Sequence, residues 1–159
     1  MTALDTNLDT NLDTIREKLG TAEPWVESRG TYWLDPGTAR PRDAAWAMNA
    51  AGARFITITA YELPGDAGFR LEYHWDLEGR LLGIPFQIAG KTTESIVDII
   101  EAADWIEREV YEGFAIVFTG RVFEPLMLRE GDKPGVNLRV APVQDEPASG
   151  LPGQKEVVQ

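Results

Sequence analysis

The stretch "FRLEYHWDLEG", residues 69–79, leaves little freedom in how it folds. Phe69, Leu71, Tyr73, Trp75 and Leu77 alternate with Arg70, Glu72, His74, Asp76 and Glu78. Side chains of a strand point to opposite faces with a period of two, so this pattern predicts one oily face and one wet face. Antiparallel sheets carry that asymmetry, whereas parallel sheets, covered on both faces, read as continuous apolar runs. Glu78-Gly79 reads as a tight turn into "RLLGIPFQIAG", where Ile84, Phe86 and Ile88 alternate again. Pro85 has no N–H for a ladder, which predicts an edge strand or a bulge there. Upstream, "ARFITITAYEL" is rich in β-branched and aromatic residues and predicts another strand, linked to residue 69 through "PGDAG".

Around these strands the sequence places helices. "LDTNLDTNLDTIREKLG" contains a four-residue near-repeat that puts Leu4, Leu8, Leu12, Ile15 and Leu19 on one helical face, with Gly20 as the stop. Pro41 suits a first turn, and an Ala-rich helix follows it to Gly52. The longest helix is predicted over residues 94–112, stopping at Gly113, with a short buried strand at 115–118. Together these elements predict an α+β domain: a mixed or antiparallel sheet of about four strands with helices packed on it. The chain divides into an N-terminal helical segment (1–20), the α+β domain (21–120), an extended interaction segment (121–142) and a Pro/Gly/polar tail (143–159) expected to be disordered.

Several chemistries are disfavoured at once. A formal net charge of −11 argues against nucleic acid and against direct adhesion to anionic lipid. The absence of cysteine excludes disulfides, thiolate zinc sites and cysteine-ligated iron–sulfur clusters within this chain. "AGKT" at 89–92 is no phosphate cradle, because Pro85 stands where that loop needs its first glycine. His74 is the only histidine, and no nucleophile-elbow motif accompanies it. With Glu72 and Asp76 it shares one strand face, which would bind a cation weakly; a solvated face or subunit contact is the plainer reading. No stretch approaches the roughly 20 apolar residues of a membrane span, so a soluble or peripheral protein is expected.

Two residues of "ADWIEREVYEGFAIVF", 103–118, face unexpected ways. At 100° per residue from Ile96, Glu107 falls at about 20°, within the stripe of Ile99, Ile100, Ala103, Ile106 and Val110. Trp105 falls at about 180°, among Asp98, Glu101, Arg108, Glu109 and Glu112. Glu107 reads as lying where the helix is short of the core or capping a neighbouring backbone, as half of a buried ion pair with Arg54, Arg70, Arg80 or Arg121, or as a proton-handling carboxylate. An exposed indole forgoes about 2–3 kcal/mol of burial. Either another part of this chain covers it or it anchors an interface.

The run "ESIVDIIEAADWIEREVYEGFAIVFTG" resembles the 30-kDa subunit family of respiratory complex I. Ser95, Ile96, Asp98, Ile99, Ala103, Trp105, Glu107, Arg108, Glu109, Ile116, Phe118 and Gly120 match its pattern as they stand. Tyr73 to Asp76 resembles the preceding strand, and "LMLREGDKPGVNLR" its C-terminal segment, with Leu126, Met127, Leu128 and Arg139 in place. Glu112 replaces an Asp, Ala115 a Gly, and Gly120-Arg121-Val122 a Gly-His-Pro. This drift is similar to the homologues in membrane-bound energy-converting [NiFe] hydrogenases. The resemblance implies a cofactor-free peripheral-arm scaffold on the cytoplasmic side of the cell membrane, without an active site of its own. Its partners would be a hydrogenase-like large subunit and an iron–sulfur small subunit, which would hold the iron–sulfur clusters and the Ni–Fe centre, with the membrane arm reached indirectly. It further implies interface roles for Trp105, Arg108, Glu109, Arg121, Leu126, Leu128 and Arg139, and a buried anchoring role for Glu107. The equivalent subunit of an NADH- or ferredoxin-quinone oxidoreductase is the nearest rival, and a free-standing small-molecule-binding α+β domain the rival of another class.

Overall fold

The computed structural model describes residues 3–138. Arg139, the tail at 143–159, and the side chains of Leu4 and Leu8 lie outside the described set. The centre is a five-stranded sheet in the order β1-β2-β5-β4-β3. Its strands are β1 (Val26–Ser28), β2 (Thr31–Trp33), β3 (Arg54–Glu62), β4 (Phe69–Leu77) and β5 (Arg80–Ile88). All neighbours are antiparallel except β2 and β5, which run parallel.

The alternation of β4 becomes a strict burial pattern, every second residue buried from Phe69 to Leu77. Tyr73 and Trp75 stack with ring centroids 6.0 Å apart inside the core. Glu78 (φ 53°) and Gly79 (φ 83°) both take positive φ, the turn whose twist matches the strands it joins. Pro85 is tolerated because β2 pairs only with Leu81 to Gly83, so β5 is locally an edge beyond that point. β3 carries an irregularity between Phe55 and Thr57. It leaves Phe55 and Ile58 buried and turns Ile56 out.

The helices are α1 (Ala3–Leu19), α2 (Pro41–Ala50) and α3 (Asp104–Phe114). Leu12, Ile15 and Leu19 bury the α1 stripe, and Ala44, Ala45, Ala47 and Met48 bury that of α2. Pro41 opens α2, as its fixed φ favours.

The third helix departs from expectation. It spans 11 residues against 17 for α1, and residues 94–100 lie outside it. Thr92–Glu94 instead forms β6, paired in parallel with β7 (Val117–Thr119). A single helical turn follows, closed by the Ile100 N–H on the Ile96 carbonyl at 2.8 Å. Ile100 then breaks it with extended backbone (φ −135°, ψ 93°) before a 3₁₀ turn leads into α3. One turn of helix is enough to mimic the i, i+3, i+4 spacing of a long one. The far end also differs: α3 runs through Gly113 and ends at Ala115 in the left-handed conformation (φ 57°).

Candidate docking face and its internal bracing

α3 lies against β3 and β7, which sets one of its sides into the core. Glu107 on that side is fully buried. Its carboxylate accepts the Ser95 hydroxyl at 2.7 Å, the Ile96 N–H at 2.8 Å and Arg121 Nη1 at 3.1 Å. Two of the readings of this residue therefore hold together: it caps a neighbouring backbone and pairs with an arginine. Of the four candidates, Arg121 is the partner. Burial pushes the Glu107 carboxyl above its ordinary value, and the three donors offset this only in part.

Arg121 also donates to the Asp104 carboxylate and, at 3.3 Å, to the Asp104 carbonyl. Arg108 reaches the same carboxylate at 3.2 Å and donates to the carbonyls of Glu124 and Pro125 at 2.8 and 2.7 Å. The turn that Glu107 grips is held from its other side by Arg42 of α2. That guanidinium donates to the Ser95 carbonyl at 2.7 Å and forks onto Asp98 at 2.6 and 2.7 Å.

Glu112 was expected on the wet side, yet it is only 2% exposed. The segment after Gly120 covers it. The carboxylate accepts backbone N–H groups of Leu126 at 2.5 Å, Met127 at 2.9 Å and Leu128 at 3.3 Å. Burial alone would raise this carboxyl; the three N–H donors outweigh it and hold it below its ordinary value. The chain then returns to the end of α3. Gly135 N–H donates to the Glu112 carbonyl at 2.8 Å and Asn137 N–H to the Gly113 carbonyl at 2.7 Å. Gly113 lies inside the helix rather than stopping it, and a Cβ there would press on the exposed Asn137 side chain, 2.8 Å from its nitrogen. Tyr111 and Phe123 rings, 3.9 Å apart, add an aromatic contact. Residues 121–137 thus form a strap around α3.

The strap absorbs much of what the sequence assigned to partners. The Arg121 and Arg108 side chains are 9% and 15% exposed and are committed to oxygens of this chain. Leu126 and Leu128 are half-buried. Trp105 and Glu109 remain outward, the indole 70% exposed, so no described part of the chain covers it. The roles of Ser95, Asp104 and Arg42 were missed. Ser95 and Asp98 sat within the matched pattern, but no wheel shows what a turn does. Glu72, His74 and Asp76 hold separate contacts on the open sheet face. Glu72 takes Arg70 and Tyr61, Asp76 takes Arg54, and His74 packs edge-on against Trp33 at 5.5 Å. No group of three metal-ligating side chains occurs among the described residues.

An antiparallel-rich sheet, a short α3 with a fully buried glutamate, and a strap folded back on that helix define an α+β domain organised around one helix with an outward tryptophan. Residues 42–141 match the family of the respiratory-chain NADH dehydrogenase 30 Kd subunit, and the chain belongs to that family. The C subunit of the NADH-quinone oxidoreductase of Rhodopseudomonas palustris strain BisB18 is 31% identical over 101 residues, covering 60% of this chain and 48% of that protein. The protein of the same name in strain TIE-1 is 39% identical over 72 residues, covering 42% of this chain and 34% of its own. The chain thus matches less than half the length of these relatives. Two solved structures share the fold. A trypsin-resistant fragment of Nqo5 has a TM-score of 0.56 at 22% identity, covering 72% of this chain and 96% of that one. The membrane-bound sulfane sulfur reductase, an archaeal respiratory membrane complex, has a chain with a TM-score of 0.66 at 24% identity, covering 82% and 80%.

Proposed function

We propose that this protein is a scaffold subunit without a cofactor of its own. It stands in the peripheral arm of a membrane-bound energy-converting oxidoreductase of the hydrogenase type, on the cytoplasmic side of the membrane. There it holds the catalytic large subunit and the cluster-bearing small subunit in register. One observation carries the reading. The buried carboxylates of α3 are spent on bracing the chain itself, while Trp105, on the same helix, is 70% exposed. Such a helix is built to present a rigid surface, not to transfer protons. No helix among the described residues is long and apolar enough to cross a membrane.

The hydrogenase assignment draws on the departures from the family pattern. Arg121 and Glu112, two of the substituted positions, are the residues that fasten the strap. The name of the curated relatives favours the second reading, the equivalent subunit of a quinone-reducing complex. Purifying the tagged chain from its native membranes in mild detergent separates the two. Co-purified large and small subunits with nickel and iron support the first. The same architecture without nickel, reducing quinone, supports the second. A chain recovered alone from the soluble fraction overturns both.

A further inference from the structure

We propose that the exposed row Glu101–Trp105–Glu109 docks a basic protein surface. A lysine or arginine of the partner lies over the Trp105 indole, with further cations against the two carboxylates. The inference rests on the scaffold reading above and adds the chemistry of the partner. Trp105 and Glu109 are i and i+4 on α3, about 6 Å apart on one side of the helix, and Glu101 lies in the 3₁₀ turn that leads into α3. All three are exposed. The cations that could neutralise the row are engaged elsewhere. Arg108 and Arg121 turn inward to the strap and Asp104, and Arg42 is forked onto Asp98. Among the described residues Glu101 and Glu109 have no ion-pair partner.

An indole face attracts cations, and flanking carboxylates deepen the same attraction. A purely apolar partner would strip water from Glu101 and Glu109 without replacing it, at a cost. Nucleic acid and anionic lipid would be repelled. Glu109 also borders a groove of 420 Å³ between α3 and the edge strand β3, lined by Thr57, Thr59, Ile106, Phe114 and Asn137. Ile106 and Phe114 within it suit the methylene stem of a lysine or arginine whose head meets Glu109.

The test uses the full chain, tagged in its native host, with a photo-crosslinking amino acid at exposed Ala102. The solubilised complex is irradiated and the linked peptide sequenced. The expected product is a peptide of a co-purifying protein that carries lysine or arginine at the link. Glu101→Lys with Glu109→Lys should cut the recovery of that protein by roughly tenfold or more, since like charges meet across the contact. Glu17→Lys with Glu27→Lys changes net charge equally at exposed positions of α1 and β1, and should leave recovery unchanged. A linked peptide without basic residues overturns the proposal, as does wild-type recovery of the charge-reversed pair. A complex that co-purifies but gives no link at residue 102 overturns it too, and leaves the scaffold reading standing. A chain that purifies alone removes both.

Discussion

Glu107 and Glu112 sit one helical turn and a fraction apart on α3, and both are buried, yet the two ends of the helix use them differently. Glu107 binds parts of the molecule that cannot leave: the turn after β6, the Arg121 side chain and the core around them. Glu112 binds three consecutive N–H groups of a strap whose remaining residues are largely exposed. The first carboxyl is pushed up by burial; the second is held down by its donors. Burial alone therefore does not decide how a carboxylate contributes. What decides is whether its donors can return to water when the contact is lost.

The sharpest way to break this contrast is Glu107→Ala. It orphans the Ser95 hydroxyl and the Ile96 N–H and leaves the nearly buried Arg121 with Asp104 as its only carboxylate. Removing one member of a buried pair costs about 3–5 kcal/mol. Urea unfolding of the isolated chain should show that loss as an earlier midpoint with an unchanged slope. A loss below about 1 kcal/mol would mean that the cluster around Arg121 holds without it.

Glu112→Ala should cost less, about 1–2 kcal/mol, because residues 126–128 can be rehydrated once released. The damage should be local. Amide exchange should quicken at Leu126, Met127 and Leu128, and proteases should cut within the strap, while the sheet stays protected. Equal global destabilisation by the two substitutions would erase the distinction between anchor and strap.

Acidity sharpens the same comparison with smaller effects. The Glu112 carboxyl lies below its ordinary value of 4.5 in the folded chain, so its contribution is complete above that value. It is lost as pH falls through the lowered folded value. Glu107 lies above 4.5, so folding favours its protonated form. Its contribution is complete below 4.5 and is lost as pH rises through the raised folded value. Urea midpoints measured from about pH 7 down to about pH 3.5 should therefore move apart in Glu112→Gln and Glu107→Gln. The gap between wild type and Glu112→Gln should shrink on acidification, and the gap for Glu107→Gln should change in the opposite sense. Parallel curves would show that the two carboxyls share one environment.

How far the sequence reveals these two ends follows from the range of the forces involved. The β4–β5 hairpin was legible because its period and its turn residues are local, and so was the inward aim of Glu107. The β1–β2 hairpin was missed because three-residue strands are too short to show a period. Residues 94–100 imitated a helix because one real turn supplies the spacing of several. The burial of Glu112 was invisible for another reason. The wheel places it correctly relative to α3, but the strap that covers it arrives from more than ten residues downstream and carries no periodicity of its own. Contacts made by backbone N–H groups leave no trace in side-chain pattern. Arg108 was read outward for a related reason, since two of its acceptors are main-chain carbonyls of the strap.

The smallest expected change in stability belongs to Trp105, and it tests whether the outer side of α3 is separate from both braced ends. At 70% exposure the indole has little burial to lose, so Trp105→Ala should shift the unfolding free energy by no more than about 0.5 kcal/mol. Its neighbour Asp104 keeps Arg108 and Arg121 in place without it. The cost should appear only on assembly, where truncation of a central tryptophan removes about 2 kcal/mol or more of binding. Gentle-detergent purification of the variant should then yield a folded chain with its partners depleted. A loss above about 3 kcal/mol in the isolated chain would instead put Trp105 in the core, and the helix would have no outer side to offer.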